Sequence, residues 1–299
     1  MYSNMEMLQQ IETKDGIIAA LDQSGGSTRT ALSNYGIADS EYQDDEQMHH
    51  LMHEMRVRII TSTAFVRAKV IGAILFEKTM NSEASGKSVP AFLWEDRGIV
   101  PFLKIDNGLE VLAGDIQLLK PIPDLKSRLG RAAGKGIFGT KMRSFIAEAN
   151  DVGIKAIVNQ QFDLARQILA SGLIPIVEPE VSIAAKEKEE AELLLRQEIT
   201  RELDSLSNDQ KVVLKLTIPT VPNFYESLAA HRSVIRLAAL SGGYSRSDAC
   251  DKLRRNRNMV ASFSRALIED IRFRMPNHQF DALLHGTIDE IYDASVSKP

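Results

Sequence analysis

Short apolar runs alternate along this chain with longer amphipathic stretches, and the two periods separate strands from helices. Eight runs read as strands, at residues 16–21, 70–76, 100–105, 137–142, 174–177, 212–216, 234–240 and 260–264. Between them lie stretches with helical spacing, among them 46–58, 142–150, 154–171, 186–205 and 247–254. The alternation predicts βα units on a parallel sheet. Eight units predict a closed α/β barrel, the (β/α)8 or TIM barrel, rather than an open doubly wound sheet, whose first turn would carry a Gly-x-Gly-x-x-Gly phosphate loop. No such loop follows the first run. No Pro/Gly/Ser-rich linker divides the 299 residues, so one domain spanning 1–299 is expected.

Composition narrows the setting without changing the fold. With 44% hydrophobic and 25% charged residues the chain has an ordinary globular balance. A net charge of -4 gives no electrostatic footprint for nucleic acid, so no such partner is expected. A lone cysteine, Cys250, rules out an internal disulfide and suits a reducing compartment. The first residues lack a basic segment followed by an apolar one, and no apolar run reaches membrane-spanning length. A cytoplasmic protein with no membrane partner is the expectation. The Glu-rich stretch 186–202 reads as a solvated helix carrying charge pairs three or four residues apart. His49 and His53 have helical i,i+4 spacing, yet no glutamate base lies between them and no further ligand set is evident, so no metal is expected. Met48 to Met55 reads as a core stripe.

Candidate chemistry gathers at the ends of the predicted strands. Lys215 sits inside Val212-Val213-Leu214-Lys215-Leu216-Thr217-Ile218, where a solvated lysine is out of place. Desolvation favours the neutral amine, a nucleophile for carbonyl carbon. The first run leads into Asp22-Gln23-Ser24-Gly25-Gly26-Ser27, the third ends Lys104-Ile105-Asp106, and the fourth delivers Lys141 and Arg143. The fifth ends Glu178-Pro179-Glu180, the seventh Ser241-Gly242-Gly243, and the eighth Ser264-Arg265. Each has a bland alternative: Asp22 as a helix cap, Glu180 as an ion-pair partner, Ser241-Gly242-Gly243 as a plain turn. Active sites of this barrel sit at the C-terminal face, and seven of the eight strands would aim polar groups there. Asp22 and Glu178 can move protons, and Lys141 beside Lys215 would keep the latter's amine neutral by repulsion. Ser24, Ser27 and Lys104 on one side, with Gly242, Gly243 and Arg265 on the other, offer two anion cradles. Two phosphates flanking a carbonyl fit that inventory.

The ordered strings Leu21-Asp22-Gln23-Ser24, Leu103-Lys104-Ile105-Asp106-Asn107-Gly108, Lys141-Met142-Arg143, Ile176-Val177-Glu178-Pro179-Glu180, Leu214-Lys215, Leu240-Ser241-Gly242-Gly243 and Ser262-Phe263-Ser264-Arg265-Ala266-Leu267 resemble class I, Schiff-base-forming fructose-bisphosphate aldolases. The resemblance spans nearly the whole chain and is to the shorter bacterial branch. It implies a phosphosugar substrate, no cofactor, and Lys215 as the residue that attacks the ketose C2 carbonyl. By the same resemblance Glu178 shuttles protons during dehydration and takes the C4 hydroxyl proton, Asp22 orients that hydroxyl, Lys141 stabilises negative charge, and Glu180 holds Lys215 in place. The C1 phosphate falls to Ser241, Gly242 and Arg265, and the C6 phosphate to Ser24, Ser27 and Lys104. Gly243, Ser264 and Arg143 complete the phosphate-binding set.

Three departures stand out. Tyr292 is not the last residue, whereas animal members reprotonate the enamine with a terminal tyrosine, so C3 proton transfer has no assigned residue. Two residues of the animal pattern are missing between Ser264 and Arg265. Lys215 is followed by Leu216-Thr217 instead of Pro-Asn. A transaldolase or deoxyribose-phosphate aldolase would also need a lysine on the sixth strand, and a non-catalytic phosphosugar-binding barrel is the alternative of another class. Association into a homo-oligomer stays open.

Overall fold

A computed structural model describes residues 2–298. Eight parallel strands follow one another around the sheet in chain order. They are β1 (Ile17–Leu21), β2 (Val70–Leu75), β3 (Val100–Lys104), β4 (Gly139–Ile146), β5 (Ile174–Val181), β6 (Val212–Thr217), β7 (Val234–Leu240) and β8 (Met259–Ala261). The Ala20 amide donates to the Phe263 carbonyl at 3.2 Å, linking the first strand to the segment after the last. The result is the (β/α)8 barrel expected from the alternation.

Helix α1 (Tyr2–Thr13) precedes the barrel. The principal helices of the outer ring are α2 (Gly26–Tyr35), α3 (Asp45–Thr61), α4 (Leu125–Gly134), α5 (Asp151–Ala170), α6 (Lys188–Asp204), α7 (Glu226–Ala229), α8 (Arg246–Arg254), α9 (Arg265–Ile268) and α10 (Asn277–Val296). Their starts follow local chemistry. The Asp44 carboxylate accepts from the Gln47 amide at 2.8 Å to open α3, and the Asn150 side chain accepts from the Gly153 amide at 3.0 Å to open α5.

Two stretches differ from expectation. Residues 142–150 do not form a helix: β4 runs on to Ile146, pairing with β5 as far as Val181 and on its other edge with the two-residue strand Ile116–Gln117. Partners on both edges satisfy its backbone as a strand, and the Asn150 cap delays the helix to Asp151. The charged stretch of α6 is not wholly solvated either, because Lys188, Glu192 and Glu202 are buried.

The strand period of two sorts side chains between two cores. Ile17, Ala19 and Leu21 face the helices, while Ile18 and Ala20 face the barrel interior with Val100, Phe102 and Val213. Met7 and Ile11 of α1 join that inner cluster and close the N-terminal end of the barrel. Gly139 makes room for this packing. A β carbon there would lie 2.2 Å from the Ile174 carbonyl oxygen and 2.9 Å from the Phe102 ring. Among the described residues no helix is long and apolar enough to cross a membrane.

Candidate active site

Continuing the inward alternation toward the C-terminal mouth leads from apolar to ionisable residues. Ile18 and Ala20 are followed by Asp22, Val100 and Phe102 by Lys104, Ile176 by Glu178 and Glu180, and Val213 by Lys215. Parallel register then sets them at similar heights. Lys104 pairs with Lys141 across β3 and β4, and Arg143 with Glu178 across β4 and β5.

Four of these residues form one buried chain of alternating charge. Lys215 Nζ lies 2.9 Å from Glu178 Oε1; Lys141 Nζ lies 3.1 Å from Glu178 Oε2 and 2.6 Å from Asp22 Oδ2. Lys215, Glu178 and Lys141 are each only 3% exposed. Glu178 therefore bridges the two amines, one on each carboxylate oxygen. Glu178 Oε2 is ion-paired with Lys141 but has no hydrogen-bond partner. A carboxylate oxygen with an unused lone pair thus sits beside the nucleophile candidate.

The electrostatics are consistent across the pair. Burial pushes the Asp22 carboxyl up, but Lys141 and Lys215 outweigh it and hold Asp22 at about 2. Burial alone would lower Lys141, yet Asp22, Glu178 and Asp106 raise it, so Lys141 is a fixed cation. Arg56 lies underneath, 1% exposed; one guanidinium nitrogen donates to the Gln23 carbonyl at 2.6 Å and another to Thr79 Oγ1 at 2.9 Å. Burial lowers it to about 10 against the attraction of Asp22.

The second layer departs from the expected assignments in two places. Glu180 does not hold Lys215: its carboxylate pairs with Arg143, which burial would weaken as a base and Glu180 strengthens. It is Glu178, one inward position earlier on β5, that contacts Lys215. Nor is Lys104 joined to Ser24 and Ser27. Lys104 Nζ is bound by the Asp106 carboxylate and donates to the Asp106 carbonyl at 2.9 Å, because a carboxylate two residues away competes at short range. Ser27 Oγ instead donates to the Ser24 carbonyl at 2.8 Å and accepts from the Ser24 amide at 3.0 Å.

On the other side the loop after β7 is more tightly defined. Gly242 and Gly243 have φ of 61° and 118°, and a β carbon on Gly242 would come within 2.7 Å of Ile183 Cγ2. Both are glycine conformations, and at Gly242 the space also fits only glycine. One nitrogen of the Arg265 guanidinium lies 3.4 Å from where a Gly243 β carbon would stand. Among the described residues Arg265 has no ion-pair partner. Ser264 Oγ accepts from Gln23 Nε2 at 2.8 Å, tying the loop after β1 to the end of β8.

Three supporting residues were given no role by the sequence reading. Asp106 anchors Lys104 and also accepts from the Arg143 amide at 3.2 Å. Gln161, fully buried on α5, accepts from the Glu178 amide at 2.9 Å. Arg56 is the third. Gln161 and Arg56 each interrupt the apolar face of a helix, a signal that α5 and α3 did carry. His49 and His53 lie apart from this cluster; His49 stacks on Phe76 at 5.7 Å. Among the described residues no group of three or more His, Cys, Asp or Glu side chains is arranged to hold a metal.

Fold and site thus define a (β/α)8 barrel with a buried cluster of paired lysines and carboxylates at its C-terminal mouth. A family model, fructose-bisphosphate aldolase class-I, matches residues 5–224, and the chain belongs to that family. It is accordingly an aldolase, a lyase. Asp22, Lys104, Lys141, Glu178 and Lys215 fall within the matched span; Gly242 and Arg265 lie beyond it. Among solved structures, Plasmodium falciparum fructose-bisphosphate aldolase in a complex with TRAP and a small-molecule inhibitor is similar at 18% identity, covering 99% of this chain and 96% of that one with a TM-score of 0.77. A Corynebacterium glutamicum protein matches at 11% identity over 98% and 92% with a TM-score of 0.59. Both show the fold.

Proposed function

We propose that this aldolase reversibly cleaves fructose 1,6-bisphosphate to dihydroxyacetone phosphate and glyceraldehyde 3-phosphate through an iminium on Lys215. The observation that carries the reading is the Glu178 carboxylate, with one oxygen on Lys215 Nζ and the other without a hydrogen-bond partner. The Lys215 ammonium first gives a proton to the Glu178 carboxylate beside it, and the resulting amine adds to the C2 carbonyl to give a carbinolamine. Glu178 gives its hydroxyl a proton, water leaves, and the iminium forms. The Glu178 carboxylate then accepts the C4 hydroxyl proton as the C3–C4 bond breaks. Its electron pair flows to the iminium nitrogen, giving an enamine and the free aldehyde. Protonation at C3 and hydrolysis return the amine and release the ketose phosphate.

The remaining residues bind and orient. Lys141, a permanent cation, offsets charge developing on oxygen, and Asp22 orients the C4 hydroxyl. Ser241, Gly242, Gly243, Ser264 and Arg265 take the C1 phosphate; Ser24, Ser27, Lys104 and Arg143 take the C6 phosphate, which requires Lys104 to exchange Asp106 for the ligand. Glu180 holds Arg143 for that contact. No cofactor takes part, and the reaction would serve glycolysis and gluconeogenesis in the cytoplasm from one catalytic domain. The test is borohydride reduction with dihydroxyacetone phosphate followed by peptide mass mapping. Reduction should fix the adduct on Lys215; an adduct on Lys141 or Lys104, or none, overturns the reading.

A further inference from the structure

The main-chain pairing of β5 and β6 stops just below the chemistry. Its register runs through Ile176–Val213 and Val177–Leu214, and no pairing continues to Glu178 and Lys215, the next residues on each strand. Above that level side chains replace the ladder between these two strands, while β5 stays paired to β4 and β6 to β7. Thr217 Oγ1 donates to the Val181 carbonyl at 2.7 Å and accepts from the Val181 amide at 2.9 Å, joining the two strand ends through one hydroxyl. Three residues beyond Lys215 a second fastening begins. Lys188 Nζ donates to the Ile218 carbonyl at 3.0 Å and to Thr220 Oγ1 at 3.1 Å, while the Glu192 carboxylate accepts from the Thr220 amide at 3.0 and 3.2 Å. Lys188 and Glu192 also pair with each other, and both are buried on the first turns of α6.

We propose that Thr217 and the Lys188–Glu192 pair are positioning residues for the Schiff-base step, holding Lys215 against Glu178 where the ladder between β5 and β6 has ended. The proposal rests on Lys215 being the iminium lysine. A buried ion pair is a weak source of stability, since well-packed apolar residues often replace one without loss. Its retention here, on a helix whose other charges are mostly exposed, fits a geometric task better than an energetic one. Each partner reaches backbone atoms, so a rotation of either side chain would free the segment after β6 to shift. Reacting groups displaced by about 1 Å lose on the order of 100-fold in rate.

The test uses two variants that leave Glu178, Lys141 and Asp22 in place. Thr217→Val keeps the shape and removes the hydroxyl; Lys188→Met with Glu192→Leu removes the pair together, so that no lone buried charge remains. Each is assayed below its melting temperature for kcat, KM and the rate of borohydride-trapped adduct at saturating dihydroxyacetone phosphate. Both kcat and trapping rate should fall ~10–100-fold, with KM within about twofold of the parent. A melting temperature that shifts while kcat and trapping stay at parent values in either folded variant overturns the positioning role. Should the double variant not fold, Thr217→Val decides alone. A parent enzyme trapped on another lysine overturns the Lys215 reading itself, whereas a parent trapped on Lys215 with variants equally fast overturns only this inference.

Discussion

The two ends of the barrel bury polar groups in different ways. At the N-terminal end, Gln10 Nε2 donates to the Ile71 and Gly98 carbonyls at 2.9 and 2.7 Å, and the Arg236 guanidinium donates to the Ile11 and Lys14 carbonyls at 2.6 and 3.0 Å. Each side chain there finishes backbone left over by the helix and strands beneath Met7 and Ile11. At the C-terminal end the four central charges answer one another: Lys215, Glu178, Lys141 and Asp22 pair among themselves, and one Glu178 oxygen is ion-paired without a hydrogen bond. Polar groups that answer backbone serve the fold. Charges that answer only one another can change partners when a substrate arrives.

The largest effect that would break this contrast belongs to Lys215. Lys215→Met leaves the buried Glu178 carboxylate with Lys141 as its one remaining cation, so thermal melting should fall somewhat, while kcat falls on the order of 10⁴-fold or more. A variant that melts earlier and keeps its turnover would put Lys215 with Arg236, as a structural cation. The converse substitution is Ile11→Ala at the closed end. Denaturant titration should show a loss of ~2–5 kcal/mol, with kcat near the parent's in the folded enzyme. A large drop in kcat at unchanged stability would show that the closed end reaches the chemistry.

Acid stability separates the ends by another route. Asp22 is depressed from 3.8 to about 2, so its contribution is present above its unfolded value and is lost as pH falls through the folded one. Unfolding followed by circular dichroism should weaken by roughly 2 kcal/mol between about pH 4 and pH 2, by the linkage of about 1.4 kcal/mol per unit. Asp22→Asn should remove that portion of the slope, and an unchanged slope would show that other carboxylates govern it. Lys104→Ala then tests whether the mouth exchanges partners. KM for fructose 1,6-bisphosphate should rise ~10–100-fold, the worth of one charge-assisted hydrogen bond, and that for fructose 1-phosphate much less. Equal rises would leave Lys104 serving Asp106 alone. The smallest expected effect is none: the iminium takes the electron pair of the breaking bond, so EDTA should leave initial rates unchanged, and loss restored by zinc would reopen His49 and His53.

Alternation and ordered strings were enough to read the barrel and the strand tips, because side-chain direction follows a period of two and barrel strands share one polarity. From that alone Asp22, Lys141, Glu178 and Lys215 were assigned to one mouth. The stretch 142–150 was read as a helix because its strand partners, Ile116–Gln117 and the far end of β5, lie too far away in sequence for a local pattern to register. Residues 186–202 were read as solvated because charges at helical spacing look alike whether they face water or, as with Lys188 and Glu192, a loop delivered by another βα unit. Which cation meets which carboxylate was likewise decided in three dimensions: Asp106 outcompetes the loop after β1 for Lys104, and Glu178 rather than Glu180 reaches Lys215. Residue type and spacing along the chain determine which groups arrive at the mouth; distances of a few ångströms between strands distant in sequence determine which of them pair, since Coulomb and hydrogen-bond energies are settled at that range.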